Sequence, residues 1–231
     1  MNANVDLTGV VLETDRLIIR EWNEMDLEDF FEYAKVDGVG QMAGWNPHTS
    51  IQESKTILEM FIKGKKTFAL ELKENHKVIG SLGLETLSLS LSDEYENLVG
   101  REIGYVLSKD YWGKGLMPEA VNRVIKFCFE KENYDYLMCS HSVINSQSKR
   151  VIEKSGFRFV KENTRITRNG DEHISLYYVL DNPLKIGKFI PTLGIAIPPI
   201  VGNSLFLYCS INFSASASHV NLFATLKNAF S

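Results

Sequence analysis

The chain has 231 residues, enough for one domain with a full core or for one domain plus an appendage, and a formal net charge of −4. That charge is uneven: all 29 acidic residues but only 22 of the 25 basic ones precede Leu184, which leaves residues 1–183 at −7. So negative a domain is poorly suited to tracking nucleic acid, which requires Lys and Arg against phosphate, and better suited to meeting cationic amines.

Cys128, Cys139 and Cys209 are odd in number, widely spaced and free of any Cys-x-x-Cys or Cys/His cluster, which argues against a disulfide framework and against a metal site. A reducing, cytoplasmic setting is the expectation. No charged segment followed by an apolar one opens the chain as a secretion signal would.

Residues 1–10 read as an unstructured N-terminal arm, followed by a first strand over Leu12–Glu21 with Leu17-Ile18-Ile19 at its apolar centre. Asn23 can cap a helix in which Leu27, Phe30, Phe31 and Ala34 fall at i, i+3, i+4 and i+7 and so share one apolar face. From Val36 to Thr49 the chain is rich in Gly and broken by Pro47. Ser50-Ile51-Gln52-Glu53 is then a capping-box pattern opening a second helix, with Ile57, Leu58, Phe61 and Ile62 inward. Thr67–Leu72 and Lys77–Leu87 alternate as strands joined at Glu74-Asn75, with Gly80 and Gly83 marking bulges or close backbone approaches. Residues 88–97 are Ser-rich and polar, a loop into a strand that begins near Leu98.

The stretch from Arg101 to Phe157 carries most of the functional information. Glu102-Ile103-Gly104-Tyr105-Val106-Leu107 reads as a strand with Ile103, Tyr105 and Leu107 on one face. After it come Tyr111-Trp112-Gly113-Lys114-Gly115-Leu116-Met117 and a helix marked by Val121, Val124, Ile125 and Cys128, with Pro118 in its first turn, where the missing N–H costs nothing. Two glycines between a strand and a helix aim backbone N–H groups at whatever precedes the helix, where its dipole favours a phosphate or pyrophosphate. Glycines also end strands for purely steric reasons, so this turn gains weight from the strand and capped helix that come after it. Leu137–Val143 is another short apolar run. Asn145 then stands at a helix N-cap, Val151 and Ile152 on the next helical face, and Gly156 at its C-cap. Phe157–Thr167 and Glu172–Leu180 flank Asn169-Gly170, a pair suited to a two-residue hairpin.

Taken together, Glu102-Ile103-Gly104-Tyr105, Tyr111-Trp112-Gly113-Lys114-Gly115, Glu119-Ala120 and Asn145-x-x-Ser148-x-Arg150-Val151-Ile152-Glu153-Lys154-x-Gly156-Phe157 resemble the GNAT superfamily of acetyl-CoA-dependent N-acetyltransferases. Within it the likeness is to the RimJ/RimL-type branch, the ribosomal-protein N-terminal acetyltransferases, and Leu12-Glu13-Thr14-Asp15-Arg16-Leu17 is similar to the opening of that branch. The resemblance spans about residues 10 to 183. It implies an α/β domain over 11–183: a mixed, mostly antiparallel GNAT-like sheet flanked by helices.

Acetyl transfer from a thioester to an amine needs a neutral nitrogen, a polarised carbonyl and a proton for the departing thiolate. An α-amine titrates near ~8 and a lysine near ~10, so at neutral pH either must shed a proton. Glu102 is the candidate base, since in the resembling family its position lines the cleft where thioester and amine meet; the alternative is a solvated carboxylate or one paired with Arg101. Ser148 is the candidate proton donor to the leaving sulfur, or a contact of the pantetheine arm, although the third position of a helix accepts Ser on structural grounds alone. Asn145 has a double role as helix cap and, by the resemblance, as a partner of the cofactor amides. Trp112, Gly113, Lys114, Gly115, Leu116 and Met117 would offer N–H groups to the pyrophosphate, with Lys114 adding charge. Many superfamily members carry Gln or Arg three residues before the first glycine, and here that position is Asp110.

Lys149 and Arg150 are candidates for the remaining phosphate of the cofactor, or simply solvated helix charge. Trp45 lies in the loop that overhangs the acceptor in the resembling family and either contacts the substrate or anchors the loop. His141, sharing a face with Leu137, Cys139 and Val143, reads as a packed core histidine rather than a base. Tyr177 and Tyr178 are alternative proton donors.

Residues 184–231 form an apolar tail without Asp or Glu, uncharged from Phe189 to Ile211. A membrane span needs about 20 such residues. Pro191, Pro198, Pro199, Gly194, Gly202 and Asn203 interrupt this run, so composition argues against one. A strand or hairpin added to the domain, or a disordered tail, are the other readings.

The sequence therefore reads as an enzyme moving acetyl from acetyl-CoA to a primary amine by direct attack, monomeric or homodimeric, with no nucleic acid partner. Cys128 and Cys139 lie in regular elements without a nearby His motif and give no reason for an acyl-enzyme. A protein or peptide α-amine is favoured by the branch. A small amine acceptor (polyamine, amino sugar or antibiotic) and a non-catalytic acyl-CoA sensor are the alternatives.

Overall fold

The computed structural model describes residues 1–166 and 172–185. The expected Asn169-Gly170 turn, and all of the apolar tail beyond Lys185, lie outside these residues. Within them one sheet of eight strands runs in the order β1-β2-β3-β4-β5-β6-β8-β7, with β1 Leu12–Glu13, β2 Leu17–Glu21, β3 Thr67–Leu72, β4 Val78–Glu85, β5 Gly100–Leu107, β6 Tyr136–Ser142, β7 Arg158–Ile166 and β8 Glu172–Asp181. Every neighbouring pair is antiparallel except β5 and β6, which run parallel.

Helices α1 (Leu27–Ala34) and α2 (Ile51–Gly64) cover one face, and α3 (Leu116–Glu130) and α4 (Ser146–Lys154) cover the other. The alternation of strand side chains divides the core between them. Phe68, Leu70, Leu82 and Ile103 meet Val121 and Val124 of α3 and Ile152 of α4. Ala69, Val78 and Val106 turn the other way, towards Phe30 and Tyr33 of α1 and Leu58 of α2. Further along that second face, among the described residues, the sheet is covered by the loop before β5, whose Leu87, Leu89, Leu91 and Tyr95 pack on Tyr136, Met138 and Tyr177.

The expected mixed α/β architecture is what forms, and three details differ. The single strand expected over Leu12–Glu21 is two strands folded on each other, because Thr14 Oγ1 accepts the Leu17 N–H at 2.9 Å and turns the chain at Thr14-Asp15-Arg16. Residues 1–10 are not loose: Ala3 and Leu7 are buried, the Ala3 N–H donates to the Gly100 carbonyl and that of Leu7 to the Lys65 carbonyl, each at 3.0 Å. Burying a leucine contributes about 1.5–3 kcal/mol, and these backbone bonds add to it in holding the segment in place. The capping box of α2 is displaced by one residue. Ser50 Oγ accepts the Glu53 N–H, while the Glu53 carboxylate accepts from the Thr49 N–H at 2.8 Å instead of from Ser50. Gly80 is a close approach, since a Cβ there would stand 2.4 Å from the Val106 carbonyl oxygen.

Candidate active site

The site begins where the parallel pair comes apart. β5 and β6 share four rungs, from Gly100–Tyr136 to Ile103–Cys139, and the last is reinforced by Cys139 Sγ donating to the Ile103 carbonyl at 3.3 Å. Beyond it β5 continues to Leu107 paired only with β4, and β6 continues to Ser142 paired only with β8. The two strands diverge, leaving a slot in the sheet lined by backbone that has lost its lateral partner.

At the far end of β5 a short 3-10 turn, Lys109–Tyr111, leads to the two-glycine segment. Trp112 anchors it by donating Nε1–H to the Leu107 carbonyl at 2.8 Å, and its backbone N–H, expected to face the pyrophosphate, is instead taken by the Lys109 carbonyl at 3.2 Å. Gly113 and Gly115 both adopt φ +76, in the left-handed region that side chains disfavour. A Cβ on Gly113 would meet nothing within 4 Å, so this turn faces open space. Among the described residues, the N–H groups of Gly113, Lys114, Gly115, Leu116 and Met117 find no protein acceptor. The Leu116 and Met117 side chains are buried in the core, so these two residues offer only main chain to a ligand. Five consecutive free amides at the start of a helix, with Lys114 beside them, form an anion cradle.

A strap from the first hairpin holds the cradle. Arg16 donates Nη1–H to the Lys114 carbonyl at 2.9 Å and Nε–H to Glu119 Oε2 at 2.7 Å. Glu119 also accepts from Thr14 Oγ1 at 2.6 Å and from the Arg16 N–H at 3.0 Å. Partial burial pushes the Glu119 carboxyl up, but the bonds from Thr14 and Arg16 outweigh it and hold the group below its ordinary value.

Across the slot, Asn145 caps α4 by accepting the Ser148 N–H at 3.0 Å, and its Nδ2 donates to the Met42 carbonyl at 3.3 Å. The α1–α2 loop therefore reaches over to the start of α4. Ser148 Oγ lies 2.9 Å from the Tyr105 hydroxyl. Glu102, by strand alternation, points to the opposite face of the sheet from Tyr105, and is 6 % exposed. One of its oxygens accepts from Ser140 Oγ at 2.7 Å and the other from the Ser88 N–H at 3.0 Å. Arg101 is not its partner: that guanidinium donates to the Ala3 carbonyl.

A family model described as an acetyltransferase (GNAT) domain matches residues 16–158. The chain belongs to the GNAT acetyltransferases. It is 25% identical over 153 residues, 64% of its own length and 82% of the other, to a Bacillus subtilis protein named uncharacterized N-acetyltransferase YoaA. Its fold is similar to that of the ribosomal-protein-S5-alanine acetyltransferase from Vibrio fischeri, with a TM-score of 0.57 and 22% identity over 75% of this chain and 97% of that one. It is similar also to the microcin C7 self immunity acetyltransferase MccE in complex with acetyl-CoA and AMP, at a TM-score of 0.59 and 17% identity over 73% and 93% of the chains. GNAT acetyltransferases are acetyl-CoA-dependent acyltransferases, and acetyl-CoA is the co-substrate here.

The remaining residues singled out in this GNAT acetyltransferase occupy defined places. Trp45 is half-buried, lies over Gly40, whose Cβ would stand 2.3 Å from its ring, and packs 5.1 Å from the His48 ring, so it anchors the α1–α2 loop. His141 is buried, with Nδ1 2.8 Å from the Ser142 carbonyl and Nε2 3.1 Å from the Tyr178 hydroxyl. That leaves Nδ1 as donor and Nε2 as acceptor from Tyr178, a satisfied core pair. Tyr177 points to the other face, among Tyr136 and Met138. Lys149 and Arg150 are exposed, and Lys149 stands 3.8 Å from Glu153 one turn on. Among the described residues no group of His, Cys, Asp and Glu could hold a metal, and no helix is long and apolar enough to cross a membrane.

Arg16 and Tyr105 belong to motifs that carry the resemblance, yet sequence alone gives neither a role at the site. The contacts that bring them there join residues 98 and 43 positions apart, and no local pattern encodes such pairs.

Proposed function

We propose that this acetyltransferase moves acetyl onto the α-amine of a protein or peptide by direct attack. The pyrophosphate of acetyl-CoA rests on the N–H groups of residues 113–117 with the Lys114 charge nearby. The pantetheine arm runs along the slot between β5 and β6, past Asn145 and Ser148, and the acceptor arrives from the other face, beneath the loop that Trp45 anchors. The acceptor attacks as the neutral amine, its ammonium proton already lost to solvent, and as the new bond forms Glu102 takes a second proton from the nitrogen, directly or through a water. The nitrogen bonds to the carbonyl carbon, the C–S bond breaks with its electrons going to sulfur, and Ser148 Oγ–H protonates the thiolate. Solvent removes the proton from Glu102 and restores that of Ser148.

One observation carries the reading: the slot joins a face bearing five open amides to a face bearing a buried carboxylate with two hydrogen-bond donors and capacity for more. An α-amine titrating near ~8 is more often neutral at pH 7 than a lysine near ~10, so a single carboxylate suffices as its base. The solved neighbour titled ribosomal-protein-S5-alanine acetyltransferase and the net −7 of residues 1–183 support this class of acceptor. Buried free thiols at Cys128 and Cys139 suit a reducing cytoplasm.

Thiol release from acetyl-CoA, measured across a panel of peptide N-termini, polyamines and aminoglycosides, tests the proposal. Turnover with peptides is expected. Turnover with small amines alone would overturn the choice of acceptor.

A further inference from the structure

Tyr105 stands on β5 two residues past the last rung shared with β6, its ring packed against the core under α3 and α4. Its hydroxyl lies 2.9 Å from Ser148 Oγ and 3.2 Å from the Ser148 carbonyl oxygen. Neither capping nor packing demands a hydroxyl there: Asn145 already satisfies the Ser148 N–H, and a phenylalanine ring would fill the same space. The hydroxyl pair has two protons and two useful arrangements. In one, Ser148 donates to Tyr105 and Tyr105 donates to the Ser148 carbonyl. In the other, Tyr105 donates to Ser148 Oγ and the serine proton is free to leave the pair. Burial holds the phenol well above its ordinary range, so it remains a donor in both.

We infer that Tyr105 is a positioning residue for Ser148, turning its hydrogen bond from the carbonyl to Oγ as the serine gives its proton to the departing thiolate. The inference rests on Ser148 being the proton donor. As the C–S bond breaks and its electron pair moves to sulfur, the Ser148 O–H bond breaks and an S–H bond forms. The charge left on Ser148 Oγ is met by the Tyr105 O–H until solvent returns a proton, and Tyr105 keeps its own proton throughout. A hydrogen bond aimed at charge that develops only in the transition state acts on kcat and not on binding.

The test is a double-mutant cycle on the full chain with Tyr105→Phe, Ser148→Ala and both together, at saturating acceptor. Tyr105→Phe should lower kcat about tenfold, the order expected for one hydrogen bond to a developing charge, and leave the KM for acetyl-CoA within about twofold. The double variant should be no slower than Ser148→Ala. Thermal unfolding of each variant separates these effects from loss of fold, since Phe keeps the buried ring. If Tyr105→Phe slows the Ser148→Ala enzyme by the same factor as the unaltered one, or leaves kcat unchanged, this inference fails while Ser148 as donor stands. If Ser148→Ala retains full kcat, the donor assignment fails and the inference with it.

Discussion

Replacing Gly113 by alanine isolates what the left-handed turn contributes. The added Cβ would meet nothing within 4 Å, so no steric clash enters, and what remains is the backbone penalty at φ +76. For a residue with a Cβ that penalty is about 1–2 kcal/mol. The turn is exposed but tied down by Trp112 through Leu107 and by Arg16 through Lys114, so the strain has two outlets. Where the ties hold, the penalty falls on folding and lowers the melting temperature by about 2–4 °C for each kcal/mol in a domain of this size. Where the turn relaxes, the empty protein keeps its stability, the amides re-aim, and acetyl-CoA must restore the original shape on binding. Linkage fixes the sum: the loss in unfolding free energy and the loss in acetyl-CoA binding together come to about 1–2 kcal/mol, equivalent, if all on binding, to about five- to thirtyfold in Kd. Denaturant unfolding of the empty enzyme and calorimetric titration with CoA measure the two parts. Gly113→Asn should lose less, because asparagine tolerates this region. If both quantities are unchanged in Gly113→Ala, the left-handed turn is not what holds the diphosphate, and the cradle argument is refuted.

Glu102→Gln keeps a group able to accept from the Ser88 N–H but cannot take a proton from the amine; kcat should fall about 10²-fold or more with acetyl-CoA binding retained, and an unchanged rate would remove it as the base. Glu119→Gln loosens the strap on the cradle and should raise the KM for acetyl-CoA while weakening the fold at neutral pH. Because the folded pKa of Glu119 lies below the ordinary 4.5, its stabilisation is complete above that value and is lost as pH falls through the folded pKa; the stability gap between the two proteins, measured by denaturant unfolding, should narrow on acidification. Asn145→Ala removes the cap on α4 and the link to Met42, at about 1 kcal/mol of stability by the usual value of an N-cap; a change in KM for acetyl-CoA beyond that loss would mark the cofactor contact.

What could be read from the chain was what its local geometry encodes. The glycine turn before α3, the Asn145 cap and the inward face of α2 depend on φ, on capping and on spacing within a few residues, and each appears where the pattern places it; in α1 the face is turned slightly, so that Tyr33 is buried in place of Phe31. The break at Thr14 was hidden because neither Gly nor Pro marks it: a threonine hydroxyl makes the turn within the short polar stretch of residues 13–16 between two apolar ones. In residues 1–10, Ala3, Val5 and Leu7 alternate towards the core, but the run is too short and too polar between them, at Asn2, Asn4 and Asp6, to stand out as an element.

The functional consequence lies in how each local motif is completed. The cradle is finished by Arg16, the cap on α4 by the Met42 carbonyl, Ser148 by Tyr105, and Glu102 by Ser88 and Ser140. Two of these partners, Met42 and Ser88, come from the irregular segments between α1 and α2 and between β4 and β5, and the other three from strands or their turns. The glycine turn before α3 and the Asn145 cap are set by the backbone of a few neighbouring residues, which is why they could be recognised from residues alone. Met42 and Ser88 belong to loops, which no periodicity governs and which can change without disturbing the sheet. If the proposed direction of acceptor entry holds, exchanging the loop that Trp45 anchors and the one that supplies Ser88 with those of another GNAT acetyltransferase should change the amine used while leaving the KM for acetyl-CoA in place.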